Sequence, residues 1–214
     1  MSNELIESGS GTTEERILDA AMQVFAEVGF DGARVDEIAR RANANKAAIY
    51  YHIGDKEAVY TVVLQRVFSG FVQRVIETVQ QAQTPEEQLR LYIRTIANNL
   101  RQHPYLPTIM MREFASGAKH LPGAIVAEMT KMIGLLASIL HDGEAQGIFV
   151  HVTPLLIHIL LVGGHIFSNS IDLIMLKHQQ VIPPQLLAAH QHFPDTFPQE
   201  IEETILRAVK KTSA

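Results

Sequence analysis

Side chains with chemistry to offer gather in two places. Between Arg34 and Lys56, five basic residues (Arg34, Arg40, Arg41, Lys46, Lys56) meet three acidic ones (Asp36, Glu37, Asp55). Inside that span, Lys46-Ala47-Ala48-Ile49-Tyr50-Tyr51-His52 puts an ammonium, two phenols and an imidazole within one short run. A helix of that length has Ala48 and Ile49 to turn inward and leaves Lys46, Ala47, Tyr50, Tyr51 and His52 for another surface. Such a helix fits a major groove, which is about 12 Å wide. The bland alternative is an ordinary helical hairpin whose tyrosines are partly buried packing. The second place is the histidine-rich remainder, where nine of ten histidines follow residue 100. His158 and His165 lie seven apart on one helix face, with His151 before them. Metal sites want tighter spacing and a carboxylate close by, and Asp172 is the sole acid on that stretch. Cysteine is absent, so no thiolate or disulfide chemistry is available. No nucleophile motif, glycine-rich phosphate loop or paired-carboxylate spacing suggests an enzyme or a cofactor.

The elements that must position these groups read as helices throughout, so the fold class is all-α. Thr12 and Glu15 stand at capping-box spacing, and Ile17, Ala21, Val24, Phe25 and Val28 then form a stripe that Gly29 stops. A short helix follows from Asp36 to Ala42. Asn43-Ala44-Asn45 makes a turn, Asn43 tolerating a left-handed backbone and Asn45 capping the helix Lys46 to His52. Gly54-Asp55 ends that helix and caps a long one expected over residues 56–81. Later starts share one device, a proline in the first turn. They are Thr84-Pro85 (to Gln102), Leu106-Pro107 (to Gly117), Leu121-Pro122 (to Gln146, stopped by Gly147) and Thr153-Pro154 (to His178). Residues 179–197 read as an irregular connector, and Pro198 starts a last helix to Lys211.

Composition bounds the function further. Of 214 residues 47% are hydrophobic and 19% charged, which suits a folded soluble domain. No run of 18 uncharged apolar residues occurs, so no membrane span is expected. Residues 1–12 resemble an acidic tail, expected to be disordered, rather than a signal peptide, and the absence of cysteine is compatible with a cytoplasmic protein. The net charge is −5, and residues 1–60 alone hold six basic and eleven acidic groups. A local basic excess still serves a nucleic acid if the acids face elsewhere, at the cost of modest non-specific affinity and a shallow salt slope.

Arg16-Ile17-Leu18-Asp19-Ala20-Ala21, Phe25, Gly29-Phe30, Val35 to Ala39 and Ala42 to Ala58 together resemble the DNA-binding domain of the TetR family. The match covers about a fifth of the chain. The resemblance implies a homodimeric repressor on a palindromic double-stranded operator, released by a small ligand. It divides the chain into a helix-turn-helix domain, 13–58, and a larger ligand-binding and dimerisation domain, 59–214. Carried over by position, Lys46 contacts phosphate or a base edge, Ala47 and Ala48 allow close approach to bases, and Tyr50, Tyr51 and His52 grip phosphates. Lys56 adds charge at a helix N-terminus, and Arg34 and Asn45 make further backbone contacts. Three positions depart from the pattern: Val35 replaces Thr or Ser, Asn43 a turn glycine, and Ile53 a phenylalanine. With alanines facing the groove, thymine methyls and DNA shape are expected to carry much of the specificity.

In the remainder the same resemblance points to a pocket for an apolar or amphipathic ligand, with Met110, Met111, Phe114, Met132, His158, His165 and Phe167 as candidate lining. It points to a dimer interface on 154–178 and 198–211, with Gly163-Gly164 allowing close helix approach and Ile171, Leu173 and Ile174 supplying apolar contact. The competing reading is a ligand- or metal-binding helical sensor whose helix-turn-helix does not hold DNA.

Overall fold

The computed structural model describes residues 12–211. Apart from Thr12, the tail expected over 1–12 lies outside them. The chain forms two compact units, one ending at Val67 and one beginning at Phe68. Among the described residues no strand forms, and one isolated bridge pairs Phe149 with Lys210.

The first unit holds α1 (Thr13–Gly32), α2 (Val35–Arg41), α3 (Lys46–His52) and α4 (Lys56–Phe68). α1 begins as the sequence predicts: the Thr12 hydroxyl accepts from the Glu15 amide, and Glu15 Oε2 accepts from the Thr12 amide. Gly29, at φ 72°, breaks its regular backbone, and a last turn reaches Gly32. Val28, placed in the buried stripe by its spacing, is instead exposed beside that break. The core is built on Ile17, Phe25, Ile38, Ile49, Val59 and Tyr60, with the Tyr60 ring edge-on to Phe25 and Phe30 at 4.8 and 5.2 Å.

The second unit holds α5 (Phe71–Val79), α6 (Pro85–Gln102), α7 (Leu106–Ala115) and α8 (Gly123–Ala145). It continues with α9 (Pro154–His158), a π-helical stretch (Ile159–Gly163), α10 (Gly164–Lys177), α11 (Pro184–His190) and α12 (Phe193–Val209). Three expectations are corrected. The helix expected over 56–81 breaks before α5, at Gly70, which takes the left-handed φ of 72°. The connector expected over 179–197 contains α11 and the start of α12. Pro198 lies inside α12, because Pro194 already occupies the first turn.

Leu89, Tyr92 and Ile93 of α6 meet Leu136 and Ile139 of α8, Leu161, and Ile205 and Val209 of α12 in one core. The buried Glu202 carboxylate ties α12 to α6, accepting from Arg90 at 2.6 Å and Arg94 at 2.7 Å. At Gly164 a Cβ would come within 2.7 Å of Ile201. The close approach this glycine allows is therefore between α10 and α12 of one chain. α8 and the continuous 154–177 helix are long and apolar enough to cross a membrane by length and composition. Each sends residues into this core, Met132 and Leu136 from the first and Ile157 and Leu161 from the second.

Candidate functional site

The α2–turn–α3 unit is set by local chemistry. Asn43 takes a left-handed φ of 49°, a conformation a short polar side chain tolerates, so it reverses the chain where a glycine would serve. The Asn45 side-chain oxygen then accepts from the Ala48 amide at 2.7 Å and caps α3. α2 has no side-chain cap: Arg34 holds the cap position without such a bond, and Val35 turns its isopropyl group into the core. Within α3 only Ile49 is buried. Tyr50 is 51% and Tyr51 86% exposed, so neither phenol is core packing. Tyr51 and His52 meet edge to face at 5.1 Å.

Charge on this face is already organised. Glu37 accepts from both Arg40 and Arg41, and those bonds hold its carboxyl well below the usual range, at about 2. Arg41 also bonds Glu27 on α1, whose pKa is likewise lowered. Lys46 Nζ pairs with Asp36 at 3.0 Å, and that hydrogen bond raises its pKa. Lys56 is half-buried: its ammonium donates to the carbonyls of Phe30 at 2.9 Å and Ala33 at 3.3 Å and lies 4.4 Å from the centre of the Phe30 ring. Arg16 Nε donates to the Ala42 carbonyl at 3.3 Å, fastening α1 to the turn.

One short segment thus exposes Asn45, Lys46, Ala47, Tyr50, Tyr51 and His52, with Ala48 half-buried and Arg34 exposed at the start of α2. Sequence reasoning missed Asp36 as the partner of Lys46, and Phe30 as the anchor of Lys56. Those pairs are separated by 10 and 26 residues, beyond any local spacing rule.

The seven residues proposed to line a ligand pocket differ in burial, and Met132 and His158 meet at the Tyr92 hydroxyl. Met110 and Met132 are buried, Met111 is half-buried, and Phe114 and Phe167 are exposed. His158 Nδ1 lies 3.0 Å from the Tyr92 hydroxyl, which is also 3.2 Å from the Met132 carbonyl. Burial lowers the His158 pKa and raises that of Tyr92. His165 lines a cavity of about 320 Å³ between α6, α7, α10 and α12. A second, of about 470 Å³, shares Asp172 and Pro194 with it. Among the described residues no three His, Asp or Glu side chains stand close enough to hold a metal ion.

Residues 17–63 match the family of bacterial regulatory proteins named for tetR. Residues 85–193, half of the chain, match the tetracyclin repressor-like C-terminal domain. The chain belongs to the TetR family. It is a DNA-binding transcriptional regulator, and its α2 and α3 are the helix-turn-helix of that family. This TetR-family chain is 31% identical over 139 residues to the HTH-type transcriptional repressor NicS of Pseudomonas putida, spanning 64% of the chain and 66% of NicS. It is 25% identical over 186 residues to the HTH-type transcriptional regulator RutR of Escherichia coli O157:H7, spanning 87% and 76%. Its fold resembles that of the transcriptional regulator FadR of Bacillus subtilis in complex with stearoyl-CoA, with a TM-score of 0.60 and 20% identity over 91% of this chain and 98% of that one.

Proposed function

We propose that this regulator is a repressor that acts in the cytoplasm: a homodimer sets two copies of α3 in the major groove of a palindromic operator, and a small molecule bound in the second unit releases it. The observation that carries the DNA half is α3 itself, whose seven residues bury one side chain. A helix so short and so little packed contributes little stability. Its outward face is free for a duplex. Lys46, Tyr50, Tyr51 and His52 grip phosphates, Ala47 and Ala48 approach base edges, and Arg34, Asn45 and Lys56 add contacts to the backbone. The ion pairs of Glu27 and Glu37 support this reading, because they hold those acids on arginines within the domain.

The dimer is supported by nine large apolar residues exposed between Leu155 and Leu176. Soluble monomers rarely expose that much, and a second copy covers it better than lipid does in a protein whose operator has two half-sites. NicS carries the name of a repressor, which favours repression here too.

The test is a mobility shift on DNA upstream of the protein's own gene, at low and moderate salt. Lys46→Ala should weaken binding to every sequence and flatten the salt dependence, and Tyr50→Ala should impair it as well. Neither change should alter ligand affinity. Wild-type protein that binds neither that DNA nor a randomised pool at low salt would sink the proposal.

A further inference from the structure

We infer that the cleft beside His165 and Asp172 takes an amphipathic cation carrying a second hydrogen-bond donor, an arylalkylamine with a hydroxyl at its far end. The inference rests on the ligand-released reading above and gives the ligand a chemical class. His165 is 6% exposed and lines the cleft. Its Nδ1 lies 2.8 Å from the Leu161 carbonyl, which can only accept, so Nδ1 carries the proton and Nε2 is left an acceptor. Nε2 is buried and has no hydrogen-bond partner. Burial also disfavours the charged ring, so the imidazole stays neutral and keeps that lone pair.

Asp172 lies two helical turns further along and lines the same cleft. Its Oδ1 is buried with no aligned hydrogen bond. His190 Nε2 comes within 2.9 Å of it, an ion pair when that imidazole carries a proton, and Oδ1 accepts no hydrogen bond. Both buried unpartnered side-chain atoms on residues that line the cleft, His165 Nε2 and Asp172 Oδ1, are thus acceptors. A buried polar group left unmet is costly, so the ligand that relieves these groups must donate.

Charge selects among donors. Asp172 and Asp195 both line the cleft, the first with the His190 imidazole against it. Arg101, its lining cation, is exposed and donates to Asn98 Oδ1. Leu100, Pro107 and Phe197 supply apolar wall, and the Phe197 ring stands edge-on to His165 at 5.0 Å. Seven helical residues span about 10 Å along the axis, which suits donors at opposite ends of one small aromatic molecule. A volume of about 320 Å³ is at the small end for ligand pockets. A polyanion such as the acyl-CoA held by FadR would meet the carboxylates of Asp172 and Asp195.

Titration calorimetry on the full-length dimer tests this with tyramine, phenethylamine and 3-(4-hydroxyphenyl)propanoate, alongside operator release followed by mobility shift. Tyramine should bind at least tenfold more tightly than the propanoate. Asp172→Asn should weaken both amines about tenfold, and His165→Gln should abolish the preference for tyramine over phenethylamine. Asp172 is partly exposed, so its variant tests the inference even if His165→Gln fails to fold. Tighter binding of the propanoate, no amine binding below millimolar, or amine affinity unchanged in Asp172→Asn would overturn the inference. If tyramine binds as expected but leaves the operator complex intact, the site stands and the release reading fails. If an acid releases the operator while no amine binds, the release reading stands and this inference falls.

Discussion

Lys46 is the residue that composition and spacing single out, and the structure adds a partner that spacing could not. In the free protein its ammonium is shared with Asp36 at the start of α2, so a phosphate must compete with that carboxylate or approach beside it. Asp36→Asn should raise non-specific DNA affinity severalfold at low salt. The gain should disappear at high salt, where exposed charges are screened, and the melting temperature should not move. A gain that persists in high salt would place Asp36 in direct contact with bases instead. The buried imidazoles make a separate prediction. His158 and His165 both have folded pKa values lowered by burial from an ordinary 6.5. Above that value both states are neutral and nothing is gained. Below it the unfolded chain takes up protons that the folded one refuses, so stability falls as pH drops below about 6.5. Melting temperatures measured from pH 7.5 to 5 should be flat, then decline. The decline should be shallower in His158→Gln, whatever its starting stability.

At the scale of the element, what was legible had local punctuation. The capping box at Thr12 and Glu15, the left-handed Asn43, the cap at Asn45 and the stop at Gly147, which takes φ 71°, each act within four residues of the chain they shape. The break at Gly70 was hidden because Val63, Val67, Phe71 and Val75 keep helical spacing straight through it. The start of α12 was misplaced because two prolines four residues apart both satisfy the first-turn rule, and only packing against α6 and α10 decides between them. The cleft was illegible for a similar reason. Its lining comes from α6, α7, α10 and α12, and of the pocket candidates chosen by residue type, His165 is the one that lines it. Two substitutions test the elements themselves. Asn45→Ala removes the cap of α3 and should cost about 1 kcal/mol in chemical denaturation, with a larger proportional loss of operator binding. Gly143→Ala would drive a Cβ into the ring of the buried Phe149. That overpacking should cost about 1–3 kcal/mol in the same assay, and an unchanged midpoint would mean that Phe149 moves aside freely.

For the whole molecule, the exposed apolar residues along 154–177 and the thin packing of α3 belong to one argument. A single copy of α3 has few side chains able to make bidentate base contacts, so a lone half-site should bind weakly. Joining two copies makes the second contact intramolecular, and affinity then depends on the dimer as much as on any residue at the DNA. Ile174 is exposed in the protomer, so a charge there has little to disturb in the fold. Ile174→Glu should therefore leave the helical content and melting profile of the protomer in place. In light scattering the mass should fall from twice 23.8 kDa to 23.8 kDa. Operator affinity should drop a hundredfold or more, while binding to an isolated half-site changes little. The two measurements must move together: a variant that stays dimeric with operator binding intact would place the interface on another face. A monomer that still holds the full operator tightly would show that α3 needs no partner, and the apolar face of 154–177 would then have some other occupant.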